Sequence, residues 1–371
     1  MAKRVIVSVI NDLSTDQRVK KVCASLQEMG YDVLLVGRIL PQSLPLTRPY
    51  QTKRMKLWFT KGPFFYAEFN LRLFFLLLFS RAQALHANDL DTLLPNFLVA
   101  KIKGLPLVFD SHEYFTEVPE LQNRPFVKSI WTGIERWIFP KLNKVFTVNE
   151  SIAQLFEKNY GSKPQVIRNI PSKQVLRPKM ERQAVGIPEG MKLLVMQGAG
   201  LNIDRGTEEA VLAISLLEDV GLMVIGSGDV LPLVKKMVKD RKLDNRVFFF
   251  PKMEYSQMLQ YTQMADIGLS LDKDSNINYR YSLPNKLFDY IHAGIPVLAS
   301  NLVEVKRIVD TWGVGEILPE LVPEKLAERI RLMLANQDKF SQYKANTQKA
   351  AEELTWEKES RQVLSSIYHG I

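Results

Sequence analysis

The sequence predicts an α/β protein of two doubly wound, Rossmann-like domains that face a cleft, and three observations carry that prediction. Strand-length apolar runs alternate with amphipathic helical stretches along most of the chain, the pattern of parallel crossovers. The alternation breaks between Lys163 and Gly190, where Pro164, Pro171, Pro178 and Pro188 fall among lysines and arginines with little periodicity, and then it restarts. With 371 residues the chain is also too long for one typical domain. The expected domains are residues 1–165 and 166–355, with a last helix over 356–371.

In chain order, residues 4–10 alternate as a strand, 17–29 form a helix closed by Gly30, and 32–37 form the next strand. Strands follow at 55–59, 84–87, 107–110 and 145–148, separated by helices at 64–79, 93–103 and 124–142, and a helix at 151–160 ends at Gly161. The second domain has strands at 193–196, 222–225, 247–250, 267–271 and 297–299, with helices at 207–218, 230–242 and 255–265 between them. After Val309 the chain reads as mostly helical, with Pro323 opening a long charged helix and residues 356–368 forming a last amphipathic one.

The stretch YSLPNKLFDYIHAGIPVLAS, residues 281–300, is the most informative. Pro284 suits the first position of a helix, Ser282 is a candidate cap, and Gly294 with Pro296 stops the run, so a ten-residue helix leads into a buried strand. Asn285 and Lys286 lie at its open end, where free N–H groups and an ammonium suit a diphosphate. Asp289 follows about one turn later, placed to accept hydrogen bonds from a ribose diol. Two glycine turns follow strands: Gly198 and Gly200 in MQGAG, and Gly226 and Gly228 in VIGSG. Glycine there lets the backbone approach a ligand at the carboxyl edge of a sheet, and Arg205 adds a cation on that edge. GSGDVL lacks the third glycine of the dinucleotide fingerprint, which argues against a nicotinamide site.

In the first domain, the strand at 107–110 runs into DSHEYFTE, which places His112 and Glu113 in the loop at its carboxyl edge. A histidine there can hold or relay a proton near neutral pH. The pairs Asp89 with Asp91 and Asp272 with Asp274 match a DxD pattern formally, and no metal is assigned to them.

Composition bounds the partners and the setting. The single cysteine, Cys23, falls in an amphipathic segment and reads as a buried core thiol, in keeping with a reducing, cytoplasmic setting. The start, MAKRVIVSVIND, meets polar residues too soon for a signal peptide. Of the net charge of +9, residues 1–165 carry +8 and residues 166–371 carry +1. That asymmetry points to an anionic partner for the first half, with nucleic acid and an anionic membrane surface as the two candidates. Residues 64–79, FFYAEFNLRLFFLLLF, are interrupted by Glu68, Asn70 and Arg72 and read as a buried helix of the first sheet. A partly exposed face that dips into lipid headgroups is the alternative.

Taken together, the two domains, His112, the glycine turns, Arg205 and the PNKLFDYIHAGIPVLAS block resemble the retaining nucleotide-sugar glycosyltransferases of family 4, which have the GT-B fold. HANDLDTLLP and FDSHEYF are similar to segments of a bacterial branch of that family. The resemblance implies a nucleotide sugar as donor, a glycan or lipid-linked acceptor on the first domain, no metal or other cofactor, and no nucleic acid partner. It implies a final helix that packs back on the first domain, and with the single cysteine, the basic first half and residues 64–79 the expectation is a cytoplasmic enzyme, peripheral at the inner face of the cell membrane. Arg205 takes the place of the family's donor-phosphate lysine, Asp289 that of its ribose-binding glutamate, and His112 that of the histidine near the transferred sugar. Two positions depart: Ala199 stands where an arginine is expected, and Tyr281 where a glutamate is expected. Arg280 and Lys286 are the available substitutes for the lost arginine. The departures raise a non-catalytic nucleotide-sugar-binding subunit as the alternative to an active enzyme.

Overall fold

The computed structural model describes residues 2–14, 16–41, 43–173 and 180–371, so Pro178 of the expected linker lies outside the described residues. The chain forms two compact units. One comprises Met1–Asn169 with Trp356–Ile371, and the other Ile170–Thr355.

The sheet of the first unit contains β1 (Arg4–Asp12), β2 (Asp32–Ile39), β3 (Gln51–Lys56), β4 (Ala84–Asn88), β5 (Leu107–Ser111), β6 (Val145–Thr147) and β7 (Gln165–Val166). The order is β3-β2-β1-β4-β5-β6-β7, with every neighbouring pair parallel. Chain progression reverses between β1 and β4. In a doubly wound sheet that switch point opens a crevice at the carboxyl ends of the strands.

The second unit repeats the logic with β8 (Lys192–Gly198), β9 (Val220–Gly226), β10 (Val247–Phe250), β11 (Ile267–Ser270), β12 (Val297–Ser300) and β13 (Gly315–Leu318). Their order is β10-β9-β8-β11-β12-β13, all parallel, and the switch point falls between β8 and β11.

Several elements differ from expectation for identifiable reasons. β3 lies at 51–56 rather than 55–59, because it is an edge strand bonded only to β2 and needs no apolar alternation. β7 and β13 are short edge strands that sequence periodicity does not reveal. The long helix from Pro323 is two helices, Pro323–Ala335 and Gln337–Glu353, because the Asn336 side chain accepts from the Lys339 N–H and caps the second.

The apolar segment is the helix Gly62–Phe79, and it is not the buried core helix that was expected. Phe65, Phe69, Leu73 and Leu77 form one stripe against the sheet, while Phe64, Leu71, Phe75 and Phe79 face outward, Phe79 with 81% of its surface exposed. Among the described residues it is the one helix long and apolar enough to cross a membrane by length and composition. Trp58 and Phe59, just before it, are exposed as well, as are Phe126, Ile130 and Trp137 on the helix Pro125–Ile138.

The first unit is completed by the last helix, Trp356–Tyr368. Trp356, Leu364, Ile367 and Tyr368 join the core formed by Val5, Val7, Val22 and Cys23. Trp356 Nε1 donates to Ser25 Oγ at 2.9 Å, and Glu359 pairs with Arg168 at 2.6 Å. Cys23 is fully buried there, and burial pushes its thiol far up, which suits packing and not nucleophilic chemistry.

Candidate functional site

At the carboxyl ends of β8 and β9 the two glycine turns hold each other. Leu201 N donates to Ser227 O at 2.8 Å and Ser227 N to Gly198 O at 3.2 Å. Gly226 has φ +131, and a Cβ there would lie 1.9 Å from Gly198 O; one at Gly228 would lie 1.9 Å from Leu201 O. The space that a Cβ would take at Gly226 and at Gly228 is filled by protein backbone. Gly200 differs: a Cβ there would meet only the Asn202 side chain, at 3.7 Å, so that turn is open on its outer side.

Arg205 and Lys286 come together on one carboxylate. Arg205 Nη1 donates to Asp272 Oδ1 at 2.7 Å, and Lys286 Nζ lies 3.2 Å from Asp272 Oδ2. Asp272 follows β11, directly at the switch point, and is fully buried. Burial alone would raise its carboxyl, but the Lys286 ammonium and the Arg205 guanidinium outweigh it and hold the group below its usual range. The guanidinium also lies over the Tyr279 ring, 4.3 Å from its centroid. Arg205 Nε–H is buried and finds no acceptor among the described residues. Two cations against one anion, with a donor left over, make a site with surplus positive charge.

The helix after this cluster is Asn285–His292, eight residues and not ten. Pro284 is its cap residue, and the Ser282 hydroxyl, expected to cap, donates instead to Tyr279 O at 2.9 Å. Asn285 is exposed at the first turn. Lys286 is only 9% exposed and reaches Asp272, so its ammonium is set inside the site. Asp289, 6% exposed, accepts from Tyr255 OH at 2.8 Å and from Gln197 Nε2 at 3.1 Å. These partners orient the carboxylate. Arg280, an available substitute for the lost arginine, is exposed and paired with Asp274 at 2.9 Å.

In the first unit His112 is gripped from both sides. Its Nδ1 lies 3.1 Å from Asp89 Oδ2, and its Nε2 lies 3.2 Å from Asp110 Oδ2 and 3.1 Å from Asn88 Oδ1. Burial alone would lower the imidazole, but the Asp89 and Asp110 carboxylates hold it well above its ordinary 6.5. Of the two roles expected from the sequence, holding or relaying a proton, two flanking carboxylates favour holding it. Asp110 is itself buried and clamped by Arg18, whose Nη2 donates to Oδ1 at 2.7 Å. Asp89 has φ 58, a conformation costly for a residue with a side chain, and its Oδ1 accepts from the His112 N–H at 2.8 Å. Strain of about 1–3 kcal/mol is retained where the surroundings over-determine it, as this bridge does. Glu113 is half-buried next to it, and its carbonyl accepts from Ser111 Oγ. Burial and the neighbouring Asp89 push the Asp91 carboxyl well above the usual range.

Sequence reasoning gave no role to Asp272 and Asp89, seen only as members of formal DxD pairs, and did not single out Asp110 or Arg18, the residues that fix the named ones. A signal existed: each carboxylate ends or follows a parallel strand, where a charge after an apolar run faces the crevice. The two formal DxD matches break up in the structure, with Asp272 on Arg205 and Lys286 and Asp274 on Arg280. Among the described residues no group of three or more His, Cys, Asp or Glu is placed to hold a metal ion.

Two units, each a doubly wound parallel sheet, have the architecture of the GT-B class. Residues 16–172 match the description "Glycosyltransferase Family 4" and residues 179–350 match "Glycosyl transferases group 1". The chain belongs to the family 4 glycosyltransferases. It is 22% identical over 358 residues to the chitobiosyldiphosphodolichol beta-mannosyltransferase of Candida glabrata, covering 83% of this chain and 78% of that one. The fold is similar to that of sucrose-phosphate synthase from Thermosynechococcus elongatus, with a TM-score of 0.81 at 16% identity over 99% of this chain and 98% of that one. It is also similar to Anabaena HepE, solved in complex with UDP-glucose, with a TM-score of 0.74 at 14% identity over 99% and 100% of the two chains.

Proposed function

We propose that the chain is a retaining glycosyltransferase that moves a hexosyl group from a nucleotide diphosphate sugar to a glycan or lipid-linked acceptor, in the synthesis of cell-surface polysaccharide. The observation that carries this reading is the Arg205–Asp272–Lys286 cluster at the β8/β11 switch point, with the Arg205 Nε–H lacking an acceptor. As the glycosidic bond breaks, negative charge grows on the departing diphosphate, and preorganised cations are most effective where charge develops. In this reading Arg205 and Lys286 receive that charge, the open turn at Gly198 and Gly200 admits the phosphates, and Asp289 accepts from the ribose hydroxyls. Retention follows from front-face attack in which the leaving phosphate takes the acceptor's proton. His112, its ring nitrogens already on carboxylates and an amide oxygen, acts through its fixed positive charge, and Glu113 is the adjacent carboxylate to test at the acceptor. The complex of HepE with UDP-glucose and the mannosyltransferase name of the Candida relative support a nucleotide-sugar donor and a hexosyl group.

A thermal-shift screen of UDP-, GDP-, dTDP- and ADP-sugars against wild type and Asp289→Ala tests the assignment. One nucleotide series should stabilise the wild type and lose most of its effect in the variant. No stabilisation by any nucleotide sugar would sink the reading. Ala199 and Tyr281, at positions where the family has an arginine and a glutamate, favour a second reading, a subunit that binds the donor without turning it over. Donor hydrolysis measured alongside binding separates the two.

We also propose attachment of the first unit to the anionic inner face of a membrane. The outward face of Gly62–Phe79, with Trp58 and Phe59, offers aromatic insertion, and Lys53, Lys56 and Lys61 are exposed nearby. Arg54, counted with them in the sequence, is taken up by Asp12 at 3.3 Å. Three lysines contribute about 3 kcal/mol at an anionic surface. Flotation with phosphatidylglycerol vesicles should be lost at high salt; equal flotation with neutral vesicles would refute the electrostatic part.

A further inference from the structure

The first unit holds a polar cavity that the reaction reading leaves unused. It has a volume of about 560 Å³ and opens between the segment after His112, the helix Pro125–Ile138 and the end of the helix Glu150–Tyr160. Its lining includes Tyr114, Thr116, Thr132, Glu135, Asn159 and Tyr160. Glu135 is the unusual member: it is 2% exposed, its Oε2 accepts from Tyr160 OH at 2.7 Å, and no Lys or Arg pairs with it among the described residues. Burial pushes its carboxyl up to about 7, against hydrogen bonds from Tyr160 and Thr116 that favour the charged form. Buried carboxyls in clefts without a cation are costly to keep and cluster at functional sites.

The surroundings select the ligand class. The Tyr160 ring packs on Phe139 and the Tyr114 ring on Phe156, so both rings are committed to the core while their hydroxyls reach the cavity. Asn159 Nδ2 donates to Tyr114 OH at 2.6 Å, so an amide and a hydroxyl meet among the lining residues. Among the charged lining groups, Lys128 is paired with Glu117 at 2.7 Å, and Arg136 and Glu135 form no ion pair with each other, so no cluster of like charge in the lining selects an anion or a cation. A site of hydroxyl, amide and carboxyl groups with balanced charge matches a neutral polyhydroxylated ring. The volume falls within the range of small-molecule sites.

We propose that this cavity binds one sugar unit of the acceptor glycan, away from the reacting hydroxyl. The proposal rests on the glycosyltransferase reading, and its segment begins two residues after His112.

The test is ligand-observed NMR and calorimetry on the full chain with mannotriose, cellotetraose and chitotetraose, with sorbitol as control. At least one oligosaccharide should bind, and Tyr160→Phe and Asn159→Ala should each weaken it about tenfold, as loss of one well-made hydrogen bond does. Circular dichroism melts confirm that each variant is folded, and Asn159, exposed on its helix, is the one least able to disturb the core. UDP and GDP are titrated into the same samples. Oligosaccharide binding that both variants leave intact, or no binding to any of the three while a nucleoside diphosphate binds, overturns the cavity and leaves the donor reading standing. Oligosaccharide binding that the variants weaken, with no nucleoside diphosphate binding, keeps the cavity and overturns the donor reading.

Discussion

Replacing Asp272 with asparagine keeps the shape of the side chain and removes the charge that Arg205 and Lys286 share. Both ion pairs are lost at once, at 2.7 and 3.2 Å, around a carboxylate with no exposed surface. Breaking a buried pair by removing one partner costs about 3–5 kcal/mol, because a charge is left uncompensated. Lys286 is nearly enclosed, but the Arg205 side chain keeps a quarter of its surface and can rehydrate, which puts the expected loss near the lower end, about 3 kcal/mol. For a unit of this length that is a fall of roughly 6–12 °C in Tm. Scanning calorimetry of the full chain should find the loss in the transition of the second unit. A nucleoside diphosphate at saturation should then raise the Tm of Asp272→Asn more than that of wild type, since two stranded cations accept an anion more readily than two neutralised ones. A Tm within 2 °C of wild type on this roughly 3 kcal/mol argument, or a smaller gain from the nucleotide, refutes the assignment of Asp272 as the counter-ion of an anion site.

Gly226→Ala should destabilise the second unit by about 3 kcal/mol in urea titrations, because its Cβ would meet Gly198 O at 1.9 Å in a φ that side chains resist. His112→Gln should lower turnover while leaving nucleoside diphosphate affinity nearly intact. The imidazole is held above its ordinary 6.5, so its stabilising effect is complete below that pH and fades as pH rises through the folded-state value; the stability gap to the glutamine variant should therefore shrink in alkali. Glu135→Gln should gain on wild type between pH 4.5 and about 7 and then level off, by about 3 kcal/mol, since the folded state disfavours the ionised carboxyl; a pH-independent gap in urea melts would exclude a raised Glu135.

The alternation of strand and helix was legible because parallel strands buried on both faces are written as apolar runs, as in the central strand at residues 267–270, expected at 267–271. The edge strands β3 and β13 were not, since they keep half-exposed residues and carry no such run, whereas β10, an edge strand written as the apolar run VFFF, was. Lys286, Asp289, Arg205 and His112 could be named from their places after strands or at a helix start. Their partners could not, because Asp272 meets Arg205 across 67 positions and Asp110 meets Arg18 across 92, and only the sheet order brings those strand ends together. The outward face of residues 64–79 was misjudged for a related reason. A helix apolar all round reads as buried, and nothing in its own sequence says that only one side meets the sheet.

The last helix sets an order for the birth of the molecule. A polypeptide leaves the ribosome from its N-terminus, and domains ordinarily fold in that order as they appear. Here the second unit, Ile170–Thr355, is whole before the first, because Trp356, Leu364, Ile367, Tyr368 and Ile371 are still to come and belong to the core around Val5 and Cys23. Until they emerge, the nascent first unit exposes the apolar groove that they fill, together with the aromatic face of Gly62–Phe79. The earliest-made half of the chain is thus the last to close.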